Sequence, residues 1–181
     1  MGAGTRLRRL VLEPGGSFHL LAGFFIFPSW LPARRGNAYL QPMTHPQAFL
    51  DIAENLSFLD DWEDRYRYII ELGAALPPLD DAEKNEETRV RGCVSQVWLV
   101  SNHDAANLVY RGESDAMITR GLAAILVALY SGRPASEVAE IDAIEIFDEL
   151  HLREHLTTQR SNGLVAMVNR IRSEAKALAA G

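Results

Sequence analysis

The stretch Ala116 to Ser131 constrains the fold more than any other part of the chain. Leu122, Ile125, Leu126 and Leu129 recur at helical spacing and form one stripe, and Ala123, Ala124, Val127 and Ala128 occupy much of the remaining circumference. A helix that is apolar nearly all round belongs inside a core, covered by other elements. Ser114 or Asp115 is expected to cap its start. Gly132 is a candidate for the residue just past its end, and Pro134 forbids resumption. With 181 residues, 48% apolar and 23% charged, the chain can bury such a helix without disulfides or metal. The same composition excludes a wholly disordered or fibrous chain.

The flanking sequence supplies the covering elements. Phe49, Ile52, Ala53 and Leu56 predict a helix over Pro46 to Leu56. Asp60-Asp61 offers a cap for a second helix, whose apolar face is Trp62, Tyr66, Ile69, Ile70, Gly73 and Leu76 and which Pro77-Pro78 ends. Leu79 to Glu87 reads as a solvated acidic loop. Thr88 to Arg91 is a short extended candidate, broken by Gly92-Cys93. Val94 to Ser101 and Ala106 to Arg111 are rich in strand formers and predict a hairpin turning at Asn102-His103-Asp104. Ser136 to Ala139 is one further turn and Ala143 to Leu152 another helix. Ser161 or Asn162 is expected to open the last helix, with Leu164, Met167, Val168, Ile171 and Ala175 inward. Helices, then a small antiparallel β-sheet, then helices again make an α+β chain.

Residues 1–42 differ from the rest. They hold five of the 18 Lys+Arg but one of the 24 Asp+Glu, with an apolar centre from Phe18 to Trp30. As a signal peptide the apolar run lies late and Ala33-Arg34-Arg35 is a poor cleavage site. A transmembrane helix would need about 20 apolar residues. The expectation is that Met43 is the true start and 1–42 an N-terminal extension that is disordered or mis-assigned, leaving 43–181 as the working domain.

A formal net charge of -6 gives no footprint for nucleic acid. One cysteine rules out an internal disulfide framework and a Cys-rich zinc or iron–sulfur site, and suits a reducing, cytoplasmic setting. That residue, Cys93, follows Gly92 on a loop before a strand, and Arg89 and Arg91 precede it. Neighbouring cations favour the nucleophilic thiolate, and glycine permits unusual backbone angles. The alternative is a small buried hydrophobe, a common fate of free cysteine. His151-Leu152-Arg153-Glu154-His155 matches an inverted zinc-protease motif, but too little chain follows to build the remaining site. His19 and His45 are placed outside the folded core. The five acids between Asp80 and Glu87 read as solvated, and Trp62/Tyr66 as core.

The stretch Arg89-Val90-Arg91-Gly92-Cys93-Val94-Ser95-Gln96-Val97-Trp98 resembles the signature of the SufE family of sulfur-acceptor proteins. Trp62 to Gly73, Gly112-Glu113-Ser114-Asp115-Ala116, Arg120-Gly121-Leu122, His155-Leu156-Thr157 and Arg160-Ser161-Asn162-Gly163-Leu164 follow the family pattern in order. The resemblance spans about 43–181. It implies a SufE/NifU-like fold and a carrier that takes persulfide sulfur from a PLP-dependent cysteine desulfurase of the SufS-like type. Such a carrier stimulates the desulfurase and passes sulfur to a downstream cluster scaffold, with no cofactor or metal of its own and no nucleic-acid or membrane partner. Cys93 matches the acceptor. Gly92, Ser95, Gln96, Asp115 and Arg160 match positions that support its loop or dock the partner. A paralogous acceptor feeding tRNA thiolation, or a non-covalent activator of the desulfurase, are the alternatives.

Overall fold

A computed structural model describes residues 45–104 and 106–180. The expected extension over residues 1–42 and its boundary at Met43 lie outside the described residues. The architecture is α+β. Its elements are α1 (Gln47–Ser57), α2 (Trp62–Ala75), β1 (Val97–Asp104), β2 (Asn107–Ser114), α3 (Met117–Tyr130), β3 (Arg133–Pro134), α4 (Ala135–Glu140), α5 (Ala143–Glu149) and α6 (Thr158–Ala179). The three strands form one antiparallel sheet in the order β1-β2-β3.

α3 is the centre, as its composition requires. Leu122, Ala123, Ile125, Leu126, Leu129 and Tyr130 are all fully buried. β2 covers it with an alternating strand whose Leu108, Tyr110, Gly112 and Ser114 face inward. α2 crosses it so closely that a Cβ built on Gly121 would stand 2.1 Å from the Ile69 carbonyl oxygen. α6 packs Leu164, Met167, Val168, Ile171 and Ala175 against the same core, as its spacing predicts. Asp61 caps α2 by accepting from the Glu63 N–H at 2.6 Å. Gly132 takes a left-handed φ of 80° after α3. No helix among the described residues is long and apolar enough to cross a membrane.

Several sequence expectations shift. β1 begins at Val97 rather than Val94, because the three preceding residues stay in the loop. Asn102, His103 and Asp104 belong to the strand rather than to the turn, since the register runs on to Asp104↔Asn107. β3 is only two residues long and carries no sequence pattern. α6 starts at Thr158, where Thr157 accepts from the Arg160 N–H at 3.4 Å, so the cap lies earlier than the expected Ser161 or Asn162.

The acidic stretch 79–87 is largely exposed, as expected, but two of its residues anchor it to the sheet. Leu79 is buried and its N–H donates to Glu113 at 2.7 Å. Glu83 takes both terminal nitrogens of Arg111. This two-pronged pair holds the Glu83 carboxyl below its ordinary range, and a backbone bond from Asp80 acts in the same direction.

The histidine motif does not lie on one helix. His151 breaks the chain with a φ of 55°, and Arg153–His155 forms a single 3-10 turn. His45 is not outside the core. Its ring packs on Phe49 at 5.2 Å and its Nδ1 lies 3.3 Å from Arg133. Burial, reinforced by the Arg133 charge, holds the His45 pKa below its usual value.

Candidate functional site

Cys93 sits on a loop pinned at two points and bent at a third. At its base Arg89 bridges Trp98, with the Val90 N–H donating to Val97 at 2.8 Å and the Leu99 N–H to Thr88 at 2.9 Å. On its far side Gln96 and Asp115 bond reciprocally. The Gln96 N–H donates to the Asp115 carboxylate at 3.0 Å, and the Asp115 N–H donates to the Gln96 carbonyl at 3.2 Å. Asp115 therefore does not cap α3 with its side chain; its carboxylate closes the cysteine loop. At the near end Gly92 adopts a φ of 93°, a left-handed angle that a side chain rarely takes.

The half-buried Cys93 thiol faces the second turn of α6, where its Sγ lies 3.6 Å from the Gly163 carbonyl oxygen. It lines a cavity of about 280 Å³ together with Val94, Ser95, Ala116, Thr119, Thr157 and Arg160. The cavity gathers three separate stretches of sequence: the cysteine loop, the start of α3 and the start of α6. Gly163 packs directly against the thiol, where an added Cβ would stand 3.5 Å from Sγ, an ordinary contact.

The electrostatics reverse one expectation. Arg89 and Arg91 do not activate the thiol. Arg89 pairs with Glu86 at 3.0 Å and Arg91 reaches the same carboxylate at 3.9 Å. Burial instead pushes the Cys93 thiol above its ordinary pKa. In this position the sulfur is held protonated and sheltered. To react it must leave the cavity or lose its proton to an incoming group.

The expected site residues thus fall into place unequally. Cys93, Ser95 and Arg160 line one cavity. Gly92 is the bend of the loop, and Gln96 contributes its backbone through the Asp115 lock. Thr157, Thr119 and Gly163 complete the walls but were given no role by sequence reasoning. Gly163 and Thr157 had a signal, their places in Arg160-Ser161-Asn162-Gly163-Leu164 and His155-Leu156-Thr157, and Thr119 had none. Among the described residues, no group of three or more His, Cys, Asp or Glu is arranged to hold a metal ion.

Residues 50–175 match the model of the SufE family, described as an Fe-S metabolism associated domain. The chain belongs to the SufE family. An uncharacterized SufE-like protein of Rhizobium etli is 56% identical over 133 residues, which is 71% of this chain and 90% of that protein. Another, from Rhizobium meliloti, is 52% identical over 129 residues, 69% of this chain and 92% of its own length. The solution structure of a hypothetical protein from Thermus thermophilus superimposes with a TM-score of 0.62 at 19% identity. It covers 76% of this chain and 99% of its own, which establishes a shared fold. SufE membership places the chain in sulfur transfer within iron–sulfur metabolism, alongside a cysteine desulfurase.

Proposed function

We propose that this SufE protein accepts persulfide sulfur on Cys93 from a PLP-dependent, SufS-like cysteine desulfurase, stimulates that enzyme, and delivers the sulfur to a cluster scaffold in the cytoplasm. The observation that carries the reading is the placement of the lone thiol, half-buried in a cavity at the tip of a loop bent at a left-handed glycine. A transferable sulfur needs shelter from solution thiols between donor and recipient, and it needs a means of presentation.

The step is an exchange at sulfur. The Cys93 thiolate attacks the outer sulfur of the donor persulfide. A new S–S bond forms at Cys93 as the donor's own S–S bond breaks, and the donor cysteine leaves as thiolate, taking up the proton that Cys93 gave up. The rate follows the ionisation of the attacker, the leaving-group pKa and access. Burial suppresses the first and the last in the resting protein. Docking therefore accelerates transfer by drawing the loop out, with Gly92 as the bend and Asp115 and Arg160 at the edge of the site. The test is stimulation of cysteine turnover by the desulfurase. Wild type raises it and Cys93→Ser does not. Full stimulation by Cys93→Ser would replace the carrier with a non-covalent activator.

A further inference from the structure

The walls of the Cys93 cavity include Arg160, whose guanidinium lies 5.8 Å above the centre of the Tyr66 ring. Tyr66 is on α2, which contributes no residue to the cavity itself. Its ring is in turn set by Trp62, edge-on at 6.1 Å and 62°. The Trp62 ring carries His155 stacked flat upon it at 4.3 Å and 17°. His155 and Arg160 bracket the segment that also holds Thr157 and Gln159, both cavity residues, and its Leu156 is buried in the core. Two aromatic side chains one helical turn apart on α2 thus pin both ends of the segment that forms one side of the cavity. Among the described residues, the Tyr66 ring is the charged or aromatic group that meets the Arg160 guanidinium.

We infer that Tyr66 is a positioning residue that fixes the positive charge of Arg160, a wall residue of the Cys93 cavity, so that it draws anionic sulfur compounds toward the thiol. A cation over an aromatic face is attracted by the negative centre of the ring, and a flexible arginine held this way keeps its charge in one place. The persulfide of a donor enzyme is a soft anion, so a fixed cation on the cavity wall would favour its approach. Trp62 and His155 support the same segment but touch neither the guanidinium nor the cavity. The inference deepens the proposed sulfur-acceptor role, and its test needs no desulfurase, so the two readings fail separately.

The test compares modification of Cys93 by two thiosulfonates of different charge, neutral methyl methanethiosulfonate and anionic 2-sulfonatoethyl methanethiosulfonate. In each, the Cys93 thiolate attacks the sulfenyl sulfur and methanesulfinate leaves, so one disulfide forms and one S–S bond breaks. The ratio of the anionic to the neutral rate cancels changes in thiol ionisation and loop opening common to both reagents. Arg160→Gln is expected to lower the ratio about three- to ten-fold, the loss of one nearby charge. Tyr66→Leu should lower it by a similar factor, the double variant no further, and Tyr66→Phe, which keeps the ring, should leave it at the wild-type value. If Tyr66→Leu fails to fold, ring-fluorinated phenylalanines at position 66 preserve the shape while weakening the face charge, and the ratio should fall with each added fluorine. An unchanged ratio in Tyr66→Leu or across the fluorinated series, with Arg160→Gln lowering it, would overturn the positioning role. A wild-type ratio in Arg160→Gln would overturn the steering charge itself.

Discussion

The Asp115 carboxylate accepts the Gln96 N–H at 3.0 Å while the Asp115 N–H returns a bond to the Gln96 carbonyl. These two residues, 19 apart in sequence, fasten the far side of the cysteine loop to the start of α3. The same Asp115 stands where sequence reasoning placed a helix cap or a docking residue. Its geometry makes it a latch, and a partner that competes for the carboxylate would open the loop.

Replacing Asp115 with alanine removes the side-chain half of this latch. A bond at an exposed site is worth about 1 kcal/mol, which corresponds to a roughly five-fold gain in the open population. Alkylation of Cys93 in the isolated protein should accelerate by about that factor, with little change in the thermal midpoint. Wild-type alkylation kinetics in Asp115→Ala would show that the bond does not govern loop opening.

Gly92→Ala tests the bend. The added methyl would lie 3.5 Å from the Ala166 Cβ, an ordinary contact, so crowding costs little. The φ of 93° is the expense, about 1–2 kcal/mol for a residue with a side chain. Stability is expected to fall by that amount, read from the denaturant midpoint, and the loop to spend more time extended. An unchanged midpoint would mean that the loop relaxes to an ordinary angle without loss.

The pH dependence of Cys93 follows from its burial. Shelter favours the neutral thiol, so its pKa in the folded protein lies above that in the unfolded chain. Alkylation by iodoacetamide, which reports the thiolate, should therefore titrate at higher pH in the folded protein than in the denatured one. The stability this site contributes is complete below the unfolded thiol pKa and declines as pH rises through the folded value. A folded-state midpoint at or below the denatured one would place Cys93 in a cationic, activating environment instead.

What was legible in the sequence was whatever local spacing determines. The α3 stripe, the inward face of α6 and the Asp61 cap lie within single elements, and the structure keeps them. Most of what was not legible depends on partners far along the chain. Glu83 looked solvated because Arg111, its partner, is 28 residues away. Arg89 and Arg91 looked like activators of Cys93, although Glu86 sits within a few residues and takes both. Asp115 looked like a cap because nothing local announces Gln96 as the competing donor. β3 has two residues and no periodicity to detect. The cavity gathers three stretches of chain, so sequence could name its cysteine, serine and arginine and quote Thr157 and Gly163 within motifs, but not that these meet Thr119 around one space.

The contact between α2 and α3 offers a purely structural check. Gly121→Ala would place a methyl 2.1 Å from the Ile69 carbonyl oxygen and 2.6 Å from its Cγ2. Backbone cannot yield cheaply there, so the loss should reach about 3 kcal/mol, the upper part of the range for overpacked cores. Gly132→Ala meets nothing within 4 Å and should cost only its left-handed φ. Equal denaturant midpoints for the two variants would mean that the helices are not in this close register.

The central claim is that Cys93 carries sulfur, and intact-mass measurement after incubation with a cysteine desulfurase and cysteine tests it most directly. Wild type should gain the mass of one sulfur atom. A reductant should remove it, and peptide mapping should place it on the fragment containing Cys93, while Cys93→Ser should gain nothing and melt close to wild type. A wild-type protein that stimulates the desulfurase yet never gains sulfur would contradict the account.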